Sequence, residues 1–243
     1  MSTTTTHVVP PTSTHSHTII FLHGRGSSAS TFCSEIFESQ DSSGAFFVDI
    51  FPSVKWVFPC APKLCAEVNG EEMHQWFDIL SVQRPWEGDE GQKESLKSSA
   101  AQILNVIGEE SGGIGAENVI LAGISQGCAT AVYAILAKGA RVGGFFGLCG
   151  WMPLFADIQD AMRNEMKTRI ACEMPVLLQH CMDDEVVPFE NGKGLCNRMR
   201  AMGIQVKWEV YPEGGHWLNE PEGMDGLVTF VREIMGKHAG IEH

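Results

Sequence analysis

The feature that most constrains the fold is a repeated alternation of short apolar runs with helix-like segments. The apolar runs, which are rich in β-branched and aromatic residues, are Thr18–Leu22, Trp56–Phe58, Val119–Ala122, Phe145–Cys149, Val176–Gln179 and Val206–Val210. The helix-like segments are Glu94–Glu109, Ser125–Lys138, Asn191–Met202 and Glu222–Met235. Because strands that alternate with helices usually pair in parallel, this order predicts an α/β fold with a mostly parallel central sheet and helices on both faces.

The length and composition suit one large domain. With 243 residues, of which 44% are hydrophobic and 19% charged, the chain can bury a sizeable core in a single unit. The Thr-, Ser- and His-rich residues 1–17 lack the apolar stretch of a secretory signal and predict a disordered, solvated tail. We expect a folded domain over residues 18–237 and a C-terminal tail over residues 238–243. The longest stretch without a predicted element, residues 59–91, is a candidate functional segment.

The charge of the chain argues against two classes of partner. The formal net charge of −13 disfavours nucleic acid, which binds clustered Lys and Arg, and constitutive docking on an anionic membrane. The longest apolar stretch, Val142–Ala156, is broken by glycines and a proline, and it is shorter than the roughly 20 apolar residues of a spanning helix. We expect no stable membrane insertion, although transient membrane contact is compatible with these features. The sequence carries no signal for the oligomeric state.

The eight cysteines bear on location and on metal binding. Without a secretory signal, they are expected to be reduced thiols in the cytoplasm rather than disulfides. Cys60 and Cys65 form the closest pair, and their spacing matches neither a zinc ribbon nor a redox C-x-x-C motif. We therefore assign no metal.

A serine between two glycines is the clearest chemical motif. Gly123-Ile-Ser125-Gln-Gly127 follows an apolar run and precedes a helix-like segment that begins with small residues. In a G-x-S-x-G elbow the strand turns sharply into the helix and lifts the serine hydroxyl clear, and a Cβ at either glycine would collide across the turn. With 26 glycines in 243 residues, the spacing alone arises by chance in about one such chain in five. The strand, turn and helix around it predict that Ser125 is a nucleophile.

A nucleophilic serine needs a base and an acid, and the chain offers both downstream. His216 follows the run VKWEVY in a glycine-containing turn, which places it above the carboxyl edge of the sheet, and it is the predicted general base. The acid should follow the run VLLQ, where Asp183, Asp184 and Glu185 are adjacent and composition does not choose among them. Asp157, which follows the preceding strand, is a lower-ranked alternative.

Two backbone amides are needed to bind the oxyanion of an acyl-transfer reaction. The first is expected to belong to the residue after the nucleophile, which is Gln126. The second is predicted at Arg25, because the run TIIFL leads directly into the glycine-rich turn His23-Gly24-Arg25-Gly26.

The chain resembles the acyl-protein thioesterases of the phospholipase/carboxylesterase family in five sequence blocks, which are FLHGRG, MHQWFDI, LAGISQG, HCMDDEVVP and GGHW. The resemblance runs from about Thr18 to Met235. It implies the α/β-hydrolase fold for residues 18–237.

The resemblance also implies a role for individual residues. The nucleophile, base, acid and two oxyanion-hole donors would be Ser125, His216, Asp184, Arg25 and Gln126, the acid being the aspartate of D-x-V-V-P. The segment Met73–Asp78 resembles a block that borders the acyl-binding groove. Met73, Trp76 and Phe77 are therefore expected to contact the substrate or to support the loop that does, with core packing as the alternative for the two aromatic residues.

Members of this family hydrolyse thioesters of fatty-acylated cysteines, simple carboxylic esters and lysophospholipids, without a metal or organic cofactor. The resemblance thus implies a serine hydrolase that acts on an acylated protein or a small acyl ester. A general carboxylesterase or lysophospholipase without a protein substrate would use the same residues. A non-catalytic binding protein of the same fold is the alternative from another class.

Five residues depart from the family's pattern. Arg25 replaces a residue that is commonly apolar, and His74 and Gln75 lie where the family has M-P-S-W-F-D. The elbow reads ISQGCA where the family often has FSQGGA, so Ile124 and Cys128 also depart. Arg25 places a cation at the mouth of the site, where its side chain either favours an anionic group on the substrate or alters the acyl pocket. These departures bear on acyl-chain preference more than on the class of reaction.

Overall fold

A seven-stranded sheet lies at the centre of the protein. The computed structural model describes residues 5–68 and 70–238. The strands of these residues are β1 (His7–Val9), β2 (His17–Leu22), β3 (Val54–Phe58), β4 (Lys63–Cys65), β5 (Glu72–His74), β6 (Val119–Ile124), β7 (Gly144–Leu148), β8 (Val176–Cys181) and β9 (Val206–Tyr211). The helices are α1 (Ala29–Ile36), α2 (Phe47–Ile50), α3 (Asp89–Ile114), α4 (Gln126–Leu136), α5 (Phe155–Ala161), α6 (Glu165–Glu173), α7 (Phe189–Ala201) and α8 (Glu222–His238).

The strand order of the sheet is β1-β3-β2-β6-β7-β8-β9. Within this sheet, each strand after β1 pairs in parallel with the next one in the order, and β1 runs antiparallel to β3 at the edge. The predicted mostly parallel sheet is confirmed. Because parallel strands end at the same edge, the loops that follow β2, β6, β8 and β9 are brought together there.

Helices cover both faces of the sheet, because residues along each strand alternate between two apolar cores. In β2, Ile20 and Leu22 belong to the core that includes residues of α3, α4 and α7. Ile19 and Phe21 belong to the other core, with residues of α1 and α8. All four side chains are fully buried, and burial of each such side chain contributes about 1.5–3 kcal/mol. The prediction of helices on both faces is confirmed.

The N-terminal segment differs from the predicted disordered tail over residues 1–17. His7–Val9 form the edge strand β1, which pairs residue by residue with Trp56–Phe58. The expectation is therefore wrong from residue 7 onward. Backbone hydrogen bonds to β3 order a segment that has little apolar pattern of its own. Residues 1–4 lie outside the described residues.

The ends of the predicted elements differ from the observed ones at several places. The third helix runs over Asp89–Ile114, beyond the predicted Glu94–Glu109 at both ends. The last helix continues to His238, beyond the predicted Met235 and one residue past the predicted end of the domain at residue 237. Residues 239–243, the remainder of the predicted C-terminal tail, lie outside the described residues.

Some elements gave no clear pattern in the sequence. The segment 59–91 contains the two-stranded hairpin of β4 and β5, which is separate from the central sheet, and the start of α3. The helices α1, α2, α5 and α6 are short, the longest having nine residues, so their periodicity is weak. Across the described ranges, no helix combines the length and the apolar character needed to cross a bilayer.

Candidate active site

Ser125 lies at the turn between β6 and α4. Its backbone angles, φ 56° and ψ −122°, fall in a region that residues other than glycine rarely adopt. A Cβ on Gly123 would lie 2.5 Å from the carbonyl carbon of Gly127, and a Cβ on Gly127 would lie 2.4 Å from the Leu22 carbonyl oxygen. Close backbone contacts therefore require both glycines, as the elbow motif predicts.

His216 and Asp184 are joined by a hydrogen bond at the carboxyl edge of the sheet. Asp184 follows β8 and His216 follows β9, and Nδ1 of His216 lies 2.8 Å from Oδ2 of Asp184. The Asp184 side chain is fully buried, whereas 22% of the His216 side chain is exposed. The imidazole thus connects a buried acid to an open cavity that Ser125 also lines. The fold brings together the three residues that the sequence analysis assigned to catalysis.

Several donors surround the Asp184 carboxylate. The amides of Val186 and Val187 both donate to Oδ1 at 2.9 Å, and Nε2 of His180 lies 3.2 Å from Oδ2. Burial acts to raise the pKa of this carboxyl, but the hydrogen bonds from His180 and His216 outweigh burial and hold the pKa well below its usual value. Asp184 is therefore ionised at neutral pH and can orient the imidazole and stabilise its protonated form.

His180 is a contact of the acid that the sequence analysis did not identify. Its buried Nε2 faces two oxygen atoms, the Val187 carbonyl at 2.9 Å and Oδ2 of Asp184 at 3.2 Å. Nε2 must therefore carry the proton. Nδ1 has no hydrogen-bond partner among the described residues and packs against Gly192, where a Cβ would lie 2.2 Å away. The one signal in the sequence is a histidine four residues before the acid.

Cys149, His180 and Asp184 form a buried group whose potential ligand atoms lie within 4.8 Å of one another. The hydrogen bonds of the group argue against a metal centre, because Nε2, the His180 nitrogen that faces Asp184, is protonated and has no free lone pair, and Asp184 already binds His216. Burial also raises the pKa of the Cys149 thiol well above its usual value, which disfavours the thiolate that a metal requires. We interpret this group as a support for the Asp184 carboxylate.

Asp183 anchors the turn that carries the predicted base. Its side chain is exposed, and its oxygens accept the amide of Gly214 at 3.2 Å and that of Gly215 at 2.8 Å. The carboxylate therefore fixes the backbone immediately before His216 without touching the imidazole. Two adjacent aspartates thus have different contacts. Asp184 binds the imidazole of the base, and Asp183 binds the backbone of the turn that carries it.

The other acidic candidates do not contact the predicted base in the described structure. Glu185 is exposed. Asp157 lies in α5, and its Oδ1 accepts a hydrogen bond from Nζ of Lys93 at 2.9 Å. Of the acidic residues considered from the sequence, Asp184 has the geometry of a triad acid.

The turn after β2 brings a second amide close to the serine. A Cβ added to Gly24 would lie 3.6 Å from the Cβ of Ser125, so the backbone of this turn passes next to the predicted nucleophile. The amides of Arg25 and Gln126 make no hydrogen bond to any other part of the described chain. Both are available to bind an oxyanion.

His23 holds the peptide group between Gly24 and Arg25. Its Nε2 accepts the amide of Ala61 at 3.0 Å, and its Nδ1, which therefore carries the proton, donates to the Gly24 carbonyl at 2.7 Å. The C=O and N–H of a trans peptide point in opposite directions, so the bond to the Gly24 carbonyl also sets the direction of the Arg25 amide. Burial lowers the pKa of His23 to about 4.

Acid is expected to destabilise the fold through His23. The pKa is about 4 in the folded chain and 6.5 for an exposed histidine, so the unfolded state binds more protons between these values. The contribution of His23 is complete above about pH 6.5 and is lost progressively down to about pH 4. Within this window the free energy of unfolding should fall by up to about 1.4 kcal/mol per pH unit, measured by denaturant unfolding at a series of pH values.

The slope should depend on His23 itself. In a His23→Gln variant the free energy of unfolding is expected to vary less between pH 6.5 and pH 4 than in the unaltered chain. A His7→Gln variant, altered on the edge strand β1, should retain the original slope. Equal slopes in the His23→Gln variant and the unaltered chain would contradict the assignment.

The side chain of Gln126 fastens the segment that contains the predicted substrate contacts. Its Oε1 accepts the Trp76 amide at 2.8 Å, and its Nε2 donates to the Phe77 carbonyl at 2.7 Å. The Trp76 indole donates to the His23 carbonyl at 2.8 Å. Trp76 and Phe77 are both fully buried in the core. They support the loop from the core, which is the second of the two predicted roles, whereas Met73 lines the cavity.

An open cavity of about 330 Å³ lies at Ser125 and His216. Half of its lining residues are apolar, and these are Phe32, Met73, Val82, Ile124, Val186 and Trp217. The volume is near the lower end of the roughly 300–1,000 Å³ that small-molecule sites occupy. A cavity that opens beside a serine and has several apolar side chains in its lining suits an acyl chain.

Comparisons with known proteins identify the family. The sequence pattern of the phospholipase/carboxylesterase family matches residues 3–235. The chain belongs to this family. Acyl-protein thioesterase 1 of Schizosaccharomyces pombe is 32% identical over 94% of this chain and 96% of its own length. A probable carboxylesterase of Arabidopsis thaliana, described as SOBER1-like, is 30% identical over 89% of this chain and 78% of its own length.

Solved structures agree with the sequence comparison. The crystal structure of Zea mays acyl-protein thioesterase 2 matches with a TM-score of 0.80 at 25% identity, covering 96% of this chain and all of that one. The family resemblance and the α/β-hydrolase fold predicted from the five sequence blocks are confirmed. The family match begins before Thr18, where the resemblance was expected to start, and it includes the edge strand β1.

Proposed function

We propose that the chain is a serine hydrolase that cleaves acyl thioesters of protein cysteines, and carboxylic esters, through an acyl-enzyme. The observation that carries the proposal is the hydrogen bond of 2.8 Å between His216 and the buried Asp184, at a cavity that Ser125 also lines. A serine, an imidazole and a carboxylate in this arrangement are what nucleophilic acyl transfer requires.

Acylation begins when the Ser125 hydroxyl attacks the carbonyl carbon of the substrate. Nδ1 of His216 is bound to Asp184, so Nε2 is the nitrogen that takes the serine proton. The oxyanion of the tetrahedral intermediate is bound by the amides of Arg25 and Gln126. As the intermediate collapses, the bond to the leaving sulfur or oxygen breaks, and the leaving group receives the proton from His216.

Deacylation repeats these steps with water as the nucleophile. His216 takes a proton from the water, which attacks the acyl-serine ester, and then returns a proton to Ser125 as the acid is released. Asp184 stays ionised throughout because its hydrogen bonds lower its pKa. The cycle needs only residues of this chain and water.

The cavity and the relatives support the proposed substrate class. The apolar half of the cavity lining suits the acyl chain of a fatty-acylated cysteine, and the Schizosaccharomyces pombe relative is named acyl-protein thioesterase 1. The cytoplasm fits this role, because all eight cysteines have free thiols. The protein would then reach acylated substrates at a membrane through transient contact with that membrane.

Paired esters and thioesters, from acetyl to palmitoyl, test the proposal together with a palmitoylated cysteine peptide. A thiolate is a better leaving group than an alkoxide, so each thioester should be hydrolysed faster than the matched alkyl ester, by roughly tenfold. The palmitoylated peptide should be deacylated, with release of thiol as the measured signal. The Ser125→Ala variant provides the blank.

Two results would replace the proposal with one of its alternatives. Brisk cleavage of short aryl esters with no action on the palmitoylated peptide would indicate a general carboxylesterase. Failure to cleave any of these substrates, together with failure of a fluorophosphonate to label Ser125 in the folded protein, would indicate a non-catalytic binding protein.

A further inference from the structure

Arg25 and Gln75, which both depart from the family's pattern, contact each other at the cavity. Nε of Arg25 donates to Oε1 of Gln75 at 2.9 Å, across 50 residues of sequence. The turn that carries Arg25 is held to the same segment by a second bond, from the Gly26 amide to the His74 carbonyl at 2.8 Å. The two departures therefore form one structural unit.

Gln75 is built into the protein as a fixed anchor. Its side chain is fully buried, its amide donates to the Pro62 carbonyl at 3.1 Å, and its Nε2 lies 3.5 Å from the Leu64 carbonyl and 3.4 Å from Oδ1 of Asp78. A guanidinium bound through Nε to such an anchor loses part of its rotational freedom before any ligand arrives. This preorganisation lowers the entropic cost of binding.

The anchor leaves the charge of Arg25 uncompensated. Gln75 is a neutral amide, and Arg25 forms no ion pair with a carboxylate in the part of the chain that the structure describes. Its two terminal nitrogens also have no protein acceptor there. Glu35, an exposed residue of α1, is the carboxylate that shares the cavity lining with it. The free edge of the guanidinium is the edge that binds a carboxylate in a bidentate manner.

The position of Arg25 limits how far away its ligand can be. Its amide is one of the two proposed oxyanion donors, and its side chain lines the same cavity as Ser125. The guanidinium therefore reaches groups only a few bonds from the scissile carbonyl. Six of the other eleven residues that line this cavity are apolar, and low-polarity surroundings strengthen the attraction of a cation for an anion.

We propose that Arg25, held by Gln75, selects ester and thioester substrates that carry a carboxylate a few bonds from the scissile carbonyl. This inference rests on the proposed hydrolase function and narrows its substrate class. The carboxylate can belong to the acyl group, as in a half-thioester of a short dicarboxylic acid. It can also belong to the leaving group, as in an acylated cysteine beside an acidic residue.

Matched substrate pairs test the selection and distinguish the two sources. The acyl-side pair is a glutaryl half-thioester and its terminal carboxamide. The leaving-side pair is the butyryl thioester of mercaptopropionate and that of mercaptopropionamide. We expect kcat/KM to be higher for the charged member of at least one pair by roughly tenfold. Because Arg25 is only half-buried, this factor corresponds to the weaker end of the strength of a charge-assisted hydrogen bond. The preference should decline as salt is added.

Three variants assign the preference to the side chain. Arg25→Met keeps the backbone amide and removes the charge, and it should bring the charged-to-neutral ratio of kcat/KM to about 1. Arg25→Lys keeps the charge without the bond from Nε, and an intermediate ratio is expected. Glu35→Gln, which alters the other formally charged side chain at the cavity, should not lower the ratio.

The ratio separates selection from a change in the fold or in the oxyanion turn, because such a change affects both members of a pair equally. The inference is overturned if the unaltered protein shows no preference in either pair, or if Arg25→Met lowers both rates without changing the ratio. If the unaltered protein hydrolyses neither the four thioesters nor any simple ester, the proposed function itself has failed.

Discussion

Replacing Ser125 with alanine is expected to lower kcat/KM for every ester and thioester substrate by at least roughly 10⁴-fold. The hydroxyl is the group proposed to form the acyl-enzyme, and no second hydroxyl occupies its place in the elbow between Gly123 and Gly127. Without it, the remaining His216 and the free amides give only the weak activation of water that an oxyanion hole provides. The measurement is steady-state hydrolysis, together with labelling by a fluorophosphonate.

Ser27 offers a matched control for this prediction. It lines the same cavity as Ser125 but is not part of the proposed catalytic set, and its hydroxyl lies 3.5 Å from the Ser28 carbonyl. Ser27→Ala should retain kcat/KM to within a few-fold and should still be labelled by the probe. Comparable losses in the two variants would mean that Ser125 is not the nucleophile.

Asp184→Asn is expected to reduce kcat by roughly 10⁴-fold. An asparagine that keeps its oxygen toward the amides of Val186 and Val187 presents its NH₂ group to Nδ1 of His216 and to Nε2–H of His180. The imidazole then loses the acceptor that sets its tautomer, and a buried donor faces another donor. The second effect should also lower the free energy of unfolding by about 1–3 kcal/mol.

Asp183→Asn is the control for this prediction, since it makes the same chemical change one residue away. Its remaining oxygen can still accept one of the amides of Gly214 and Gly215, so the turn before His216 is weakened but not lost. We expect kcat to fall by less than about tenfold. If the two variants exchanged these results, the acid would be Asp183, and the bond between Asp184 and His216 would be structural.

The fold was largely predictable because its elements have strong local patterns. Buried parallel strands are continuous apolar runs, and all six predicted runs overlap strands of the sheet, with only Cys149 lying past the end of its strand. The edge strand β1 was missed, because three residues held by backbone bonds to a neighbour need no apolar pattern of their own. The short helix α1 was missed for a related reason, since eight residues give little periodicity.

The candidate site was predictable where chemistry depends on local backbone geometry. The elbow at Ser125 requires glycines on both sides, and the structure shows the backbone contacts that a Cβ would violate. The roles of Trp76 and Phe77 were harder to predict from the sequence. An aromatic side chain in a loop can face a groove or a core, and the sequence gives no sign of which. Here both are held in the core beneath the loop, by bonds to Gln126 and His23.

The sequence by itself determined the parallel sheet and the elbow at Ser125, because these follow from residue patterns along single strands and one turn. It also determined the family, through five sequence blocks in order, and the chain order of acid and base. Only the tertiary structure decided which of two adjacent aspartates meets His216, since neighbouring residues in a turn point in different directions. It also decided that His180 supports the acid and that Arg25 binds Gln75. Those contacts join segments whose approach depends on the packing of the whole sheet.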